Sequence, residues 1–435
     1  MVNKLCGMNI GELIENFEGK NKKKAHEEVE YHHVIQPELQ ETSSSSKGKS
    51  NKGKEKVVYK TAQTFPTKKP TKGPREGYIP QIAKKALIVK EELEKKKALH
   101  EENEAAADYY LNGLIGNEYY IIDEIIQYRN DVINRLVQIV KQWIENVKEN
   151  KGIVNDNTEG EEFQLLEGGS EILDTTAYWS DMDVLCILPK YINIYDFIAK
   201  DASGLYGSLM TVIGSDNINI VKSKRILMLE FKMNGIDVDL IYAQIPFEKI
   251  ETNFDIMDNE IIEWNKDKRS ILALSGVRCL KNIRQQYICQ NQELLFMLMR
   301  YVKIWAKNRL IFSNIAGYLS GHSLAIMSAK ICIENPEATS ISFIIKQFFN
   351  VYRSWNWEEK PLLLVELVDA NEGFQNALEI VEPWSETGLG TNEGNDGTQM
   401  SIITPGFPEQ NTTFNVNKFT LKRIVIEFKR VGRWP

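Results

Sequence analysis

The sequence has no cysteine framework. Its five cysteines, Cys6, Cys186, Cys279, Cys289 and Cys332, are odd in number and scattered, with no CxxC pair among them. That pattern argues against a disulfide-stapled scaffold and against a cysteine-built zinc site, and it fits reduced thiols. Long apolar runs are missing too, since no uncharged stretch approaches the roughly 20 residues that span a bilayer. The opening MVNKLCGMNIGELIENFEGK lacks the apolar centre of a secretory signal. A soluble, intracellular protein with no membrane partner is expected, in cytoplasm or nucleus. There is no internal repeat and no overall basic excess. The net charge of −7 argues against a surface that grips nucleic acid everywhere. Positive charge is concentrated instead: Lys47 to Arg75 holds ten Lys and Arg against one Glu, a local +9 that leaves −16 for the rest.

What is present suffices for two or three domains, with 435 residues of which 43% are hydrophobic. Residues 1–77 read as a basic low-complexity tail, because segments such as ETSSSSKGKSNKGKEK are too poor in apolar residues to offset the entropy of ordering. The tail could hold RNA, act as an import signal or be a solvated linker. A helix is expected over roughly Asn117–Asn150, where Ile122, Ile125, Ile126, Ile133, Leu136, Val137, Val140 and Ile144 recur at steps of three and four. From Phe163 the period shortens. MDVLCIL, ILMLEFKM and IDVDLIYAQI read as strands, the last two flanking an Asn234-Gly235 hairpin signal. Beyond about Asp258 helical spacing returns, as in Leu294, Leu298, Tyr301, Val302 and Trp305. The expected organisation is an α+β domain over 78–256 with leading helices, then a mainly helical domain over 257–435.

SDMDVLCILPK sets Asp181 and Asp183 at the mouth of an apolar run. Residues two apart on a strand share a face, so both carboxylates project from one sheet edge. Burying like charges together is costly unless a cation compensates them. Upstream, EGGS supplies Gly168, Gly169 and Ser170 as a flexible loop able to cradle phosphate. Downstream, Asp237 and Asp239 lie on one face of a strand that could run beside the first. Converging carboxylates and a phosphate loop suit nucleotidyl transfer with two Mg²⁺ ions roughly 3.5–4 Å apart.

The run from GlySer through SDMDVLCILP resembles the DNA polymerase β-type nucleotidyltransferases. NGIDVDLIYAQI, LALSGVRCLKNI, VKIWAKNRLIFSNIAGYLSG, SWNWEEKPLLL and MSIITPGFPEQNTTFNV narrow the resemblance to eukaryotic-type, template-independent poly(A) polymerases. The resemblance implies a polymerase β-like catalytic domain followed by a helical central domain, with ATP in the cleft between them. It implies that Asp181, Asp183 and Asp239 bind two Mg²⁺ ions, with Mn²⁺ able to substitute. By the same resemblance Gly169 and Ser170 bind phosphate, Lys303 reaches the nucleotide phosphates, and Phe312, Asn314 and Gly321 belong to the nucleotide pocket. The implied reaction is attack of an RNA 3′-hydroxyl on the α-phosphate of ATP, adding AMP and releasing pyrophosphate.

The sequence also departs from the family. EILDTTAYW stands where an Arg-Leu-Gly run and a glycine before the DxD are usual, His322 replaces a small apolar residue, and Phe312 lacks the hydroxyl of a tyrosine. Asp237 is expected to be hydrated at the rim. Trp355 and Trp357 read as core in preference to base-stacking residues, and His32 and His33 as tail residues. The acidic body leaves the RNA grip to the basic tail, a partner or a second copy of the chain. A uridylyl- or oligoadenylate-type transferase and a non-catalytic RNA-processing scaffold are the alternative readings. The bias toward Lys, Asn and Ile fits an AT-rich genome, such as that of a large DNA virus or a protist.

Overall fold

The computed structural model describes residues 81–119, 123–153, 160–214, 217–285, 292–366, 373–385 and 399–431. The expected tail, its basic segment and both of its histidine candidates, His32 and His33, lie outside the described residues. The chain divides into two units, residues 10–99 and the remainder. The described part of the first is the opening of helix α1 (Gln81–Tyr119). Farther along the same helix, Asp108 Oδ1 accepts hydrogen bonds from Ser342 N at 2.7 Å and Ser340 Oγ at 3.1 Å.

Helix α2 (Asp123–Lys151) buries Val132, Leu136, Val140, Trp143, Ile144 and Val147, an apolar face at steps of three and four. This face keeps Leu136, Val140 and Ile144 of the expected stripe, with Ile133 packed against it, and adds Val132, Trp143 and Val147. Ile126 is 48% exposed, and Trp143 reaches down to pack edge-on against Phe197 at 6.4 Å. The expected mixed α+β architecture is built on a five-stranded sheet. Strand β1 (Gln164–Glu167) leads through the short helix α3 (Gly169–Ile172) to β2 (Met182–Leu188). Helices α4 (Ile194–Ile198) and α5 (Leu205–Ile213) precede β3 (Ile218–Lys222), β4 (Leu227–Met233) and β5 (Ile236–Gln244).

The strand order is β1-β2-β5-β4-β3, with β2 and β5 parallel and the other neighbours antiparallel. Strand β2 is buried along nearly its whole length, which is why it reads as an unbroken apolar run with no alternation. The expected hairpin joins β4 to β5: Asn234 and Gly235 both take positive φ, 51° and 82°, and Met233 pairs with Ile236. Two consecutive left-handed residues match the right-handed twist of the flanking strands.

Helices dominate the rest: α6 (Glu260–Glu263), α7 (Lys268–Gln285), α8 (Gln292–Asn308), α9 (Gly321–Glu334), α10 (Ile341–Tyr352), α11 (Gln375–Leu378) and α12 (Lys418–Val431). The residues expected to face inward from α8, namely Leu294, Leu298, Tyr301, Val302 and Trp305, are all buried. Trp305 stands edge-on to Phe349 at 4.9 Å and stacks on Phe428 at 5.3 Å. Trp357 is buried in the same cluster, and Trp355 is half-buried beside it with Lys360 over its ring. Glu427 is wholly buried but has Arg423, Arg430 and Arg309 at 3.0, 3.4 and 3.8 Å, a positive surround that makes a buried carboxylate tolerable.

Candidate active site

Strand pairing brings the GlySer loop onto the DxD. Glu167 pairs with Val184, so the chain leaving β1 turns beside Asp183, and Gly168 N donates to Asp183 O at 2.8 Å. Gly169 has φ 53°, and a Cβ placed there would overlap Asp183 Oδ2 and stand 2.8 Å from its Cγ. The position therefore demands glycine twice, for its backbone conformation and for the approach of the carboxylate. The loop closes on itself: Ser170 O accepts from Thr175 N at 2.9 Å, and Ser170 Oγ accepts from Thr176 Oγ1 at 3.2 Å.

Asp183 and Asp239 are direct register partners across the parallel β2–β5 pair, so their carboxylates leave one face side by side. Glu230 stands opposite Asp239 on its other flank. Burial first, then the neighbouring Asp181 charge, pushes Asp183 up to about 6 despite the attraction of Lys303 and Arg129. Burial and repulsion from Asp183, Asp181, Glu230 and Asp237 push Asp239 up to about 7. Asp181 lies just before β2 and is exposed. Asp237 is exposed at the rim and pairs with Lys232 at 3.1 Å.

Arg129 was not marked by the sequence. From α2 it donates to Ser180 O at 2.9 Å and Asp181 O at 3.2 Å, and it pairs with Glu171 at 3.0 Å. One buried guanidinium thereby ties the start of β2 to the helix that follows the glycines. Spacing could not have found it, because nothing local distinguishes this arginine from other helix-surface charges.

Lys303 projects from α8 toward the acidic face. Burial lowers its pKa, while Asp181 and Asp183 act in the opposite direction. Lys307, one turn further on, was also missed. Its Nζ lies 3.4 Å from the centre of the Trp179 ring and 5.3 Å from that of Phe312, while Lys303 Nζ stands 5.3 Å from the same indole. Burial, then repulsion from Lys303, brings Lys307 down to about 8. Trp179 thus occupies the place where the family's usual glycine is absent, and it backs both ammonium groups.

The remaining sequence candidates sit on the connection from α8 to α9. Phe312 is half-buried and bridges to Leu319. Asn314 borders a cleft of about 850 Å³, and its Oδ1 is buried with no hydrogen-bond partner among the described residues. Gly321 opens α9 beneath a Ser320–Ser323 capping box, and a Cβ there would meet nothing within 4 Å. His322 is half-buried with Nε2 3.3 Å from Gly276 O. Among the described residues, no three His, Cys, Asp or Glu side chains are grouped to hold a metal. The arrangement offers two paired carboxylates with a third at the rim.

Two family models match the chain. Residues 99–286 fit the poly(A) polymerase nucleotidyltransferase domain, and residues 295–433 fit the poly(A) polymerase central domain. A poly(A) polymerase of Dictyostelium discoideum is 31% identical over 319 residues, 73% of this chain and 37% of that protein. Nuclear poly(A) polymerase 1 of Arabidopsis thaliana is 28% identical over 306 residues, 69% of this chain and 40% of its own. The chain therefore spans about two fifths of the length of these relatives. A solved structure of the Cid1 poly(U) polymerase is similar with a TM-score of 0.49 and 16% identity, over 75% of this chain and 94% of that one. With both domains matched in order across most of its length, the chain belongs to the poly(A) polymerase family of DNA polymerase β-like nucleotidyltransferases.

Proposed function

We propose that this chain transfers AMP from ATP to the 3′-hydroxyl of single-stranded RNA, releasing pyrophosphate without a template. The observation that carries the reading is the register pairing of Asp183 with Asp239, next to Lys303 and Lys307. Four like charges gathered around Asp239 are unfavourable in the protein alone and become favourable once a cation sits among them. The family implies a divalent metal at this place, and the donor set fits it. Mg²⁺ favours hard oxygen donors and is commonly held by one or two carboxylates completed by substrate phosphates and water, so a closed protein cage is not required. Asp181, Asp183 and Asp239 would hold two such ions, Mg²⁺ with Mn²⁺ able to substitute. Bound there, the metal would neutralise the charge that develops on the transferring phosphate.

The chain's own side chains do the rest. Gly169 keeps the loop backbone against Asp183, and Ser170 closes that loop, leaving its exposed side to phosphate oxygens. Lys303 and Lys307 hold the triphosphate by charge, steadied by the Trp179 ring. Asn314 borders the cleft at the position that the family places beside adenine, and its side-chain amide is the proposed contact to the base. Phe312 supplies an apolar edge, and the open space over Gly321 admits the nucleotide. The partners are ATP and the 3′ end of mRNA. A homodimer or an RNA-binding partner would add grip that an acidic body lacks. No described helix is long and apolar enough to cross a membrane. An intracellular, soluble location fits, the nucleus in preference, as for the relatives named nuclear. We also assign residues 1–77, 78–256 and 257–435 as tail, catalytic and central domains.

The test is extension of a labelled oligo(A) with each of the four ribonucleotides in Mg²⁺. Addition with ATP alone is expected. Addition of UMP in its place would overturn the adenylyl assignment, and no addition with any nucleotide would favour a scaffold.

A further inference from the structure

The cleft that Asn314 borders has a second wall that the proposed function does not use. It comprises the β3–β4 turn, with Lys224 and Arg225, and the start of α7, with Lys268. Two short segments, 222–225 and 266–269, carry Lys222, Lys224, Arg225, Lys266, Lys268 and Arg269, in a chain whose net charge is −7. Arg269 Nε donates to Ser223 O at 2.6 Å and so fastens the turn to the helix, making one continuous basic surface. Asp267, the acid within it, is occupied as a cap, accepting from Ser270 N at 2.8 Å and Ser270 Oγ at 2.7 Å. Arg225 crosses the cleft: Nη2 donates to Gln410 Oε1 at 2.7 Å, and the guanidinium lies over the Phe414 ring at 4.7 Å.

The position of this wall relative to the carboxylates is fixed by strand register. Glu230 pairs with Asp239, and the turn begins at Leu227, three residues along β4. At about 3.4 Å per residue the basic turn starts roughly 10 Å from the Asp239 row. Helix α7 joins the two regions, lining the cleft with Gly276 while Val277 Cγ2 lies 3.8 Å from where a Cβ on Gly168 would be. A strand whose 3′ end sits at Asp239 would have its preceding phosphates at that distance.

We infer that the wall formed by Lys224, Arg225 and Lys268 is the track for the RNA primer, holding the phosphates just upstream of the reacting 3′-hydroxyl. Lys224 and Lys268 are exposed cations that neutralise phosphates, and the Arg225–Phe414 stack offers a planar face to an upstream base. The inference rests on the proposed RNA substrate and names where it lies. It also places a grip on RNA within the acidic body, apart from the basic tail.

The experiment uses the full chain with Lys224→Gln and Lys268→Gln, singly and together, with thermal melts to check folding. Binding of labelled oligo(A) is followed over a salt series, and steady-state kinetics are taken in oligo(A) and in ATP. Losing two phosphate contacts should flatten the slope of log affinity against log salt by about 1.4, at roughly 0.7 per contact for a single strand. KM for oligo(A) should rise more than KM for ATP. An unchanged slope overturns the track, and so does an equal rise in both KM values, which would make the wall part of the nucleotide site. Loss of polyglutamate binding with RNA binding intact would identify an acidic protein segment as the occupant and overturn it equally. If the double variant flattens the slope but the wild-type chain adds no AMP, the adenylyl reading falls and the track stands. AMP addition with an unchanged slope gives the reverse.

Discussion

At the scale of single residues, the site gathers charge that the protein alone does not neutralise. Asp183→Ala should abolish primer extension while leaving the circular dichroism spectrum intact, because a proposed metal ligand is lost without a core contact. Asp239→Asn should also be inactive, yet more stable without metal. The Asp239 carboxyl is raised to about 7 in the folded state from an ordinary 3.8. Its proton therefore favours folding below pH 4, and that contribution is lost as pH climbs through 7. Removing the charge should raise the metal-free Tm at pH 7.5 by about 2–4 °C, the shift expected for ~1 kcal/mol. A gain that is equal at pH 4 would refute the electrostatic cause. Lys307 gives a second pH test: with a pKa of about 8 it is charged below that value and neutral above it. kcat/KM for ATP should fall as pH rises through 8, and Lys307→Arg, which stays charged, should remove that limb of the profile.

At the scale of elements, α8 carries both lysines and is held by what lies on its opposite side. Trp305 is that anchor, wedged between Phe349 and Phe428. Trp305→Ala should cost about 3–5 kcal/mol in urea unfolding, the usual range for a buried aromatic truncated to a methyl. The same variant should raise KM for ATP at temperatures where it remains folded, since Lys303 and Lys307 are then less firmly placed. The β2–β5 pair acts similarly on the carboxylates: its parallel register, not side-chain hydrogen bonding, sets Asp183 beside Asp239.

At the scale of the whole molecule, the proposed function asks an acidic body to hold a polyanion. Of the 53 Lys and Arg, ten lie in the basic segment of residues 47–75 and six in the two segments of the cleft wall, with Lys303 and Lys307 on α8 beside the carboxylates. Deleting residues 1–77 should weaken RNA binding and flatten its salt slope by roughly three to four, equivalent to about five phosphate contacts on a single strand. Single-nucleotide addition should survive, because every residue assigned to the reaction lies beyond the deletion. An unchanged slope would identify the segment as a linker or an address.

The sequence by itself determined what depends on local spacing. The alternation of Asp181 with Asp183, the Asn234-Gly235 turn and the apolar stripe of α8 are each set by neighbours a few positions away. It also singled out Gly169, although the reason, a carboxylate lying where a Cβ would be, needs the folded loop. Only the tertiary structure decided which residues from distant segments meet. Arg129 on α2, Trp179 beneath two lysines of α8, and Arg225 reaching Gln410 and Phe414 have no local signature. The buried face of α2 likewise reaches beyond the expected stripe to Trp143, which packs against Phe197. Periodicity encodes which side of an element is apolar, whereas long-range pairing, fixed by strand register and packing volume, decides which charges share a space.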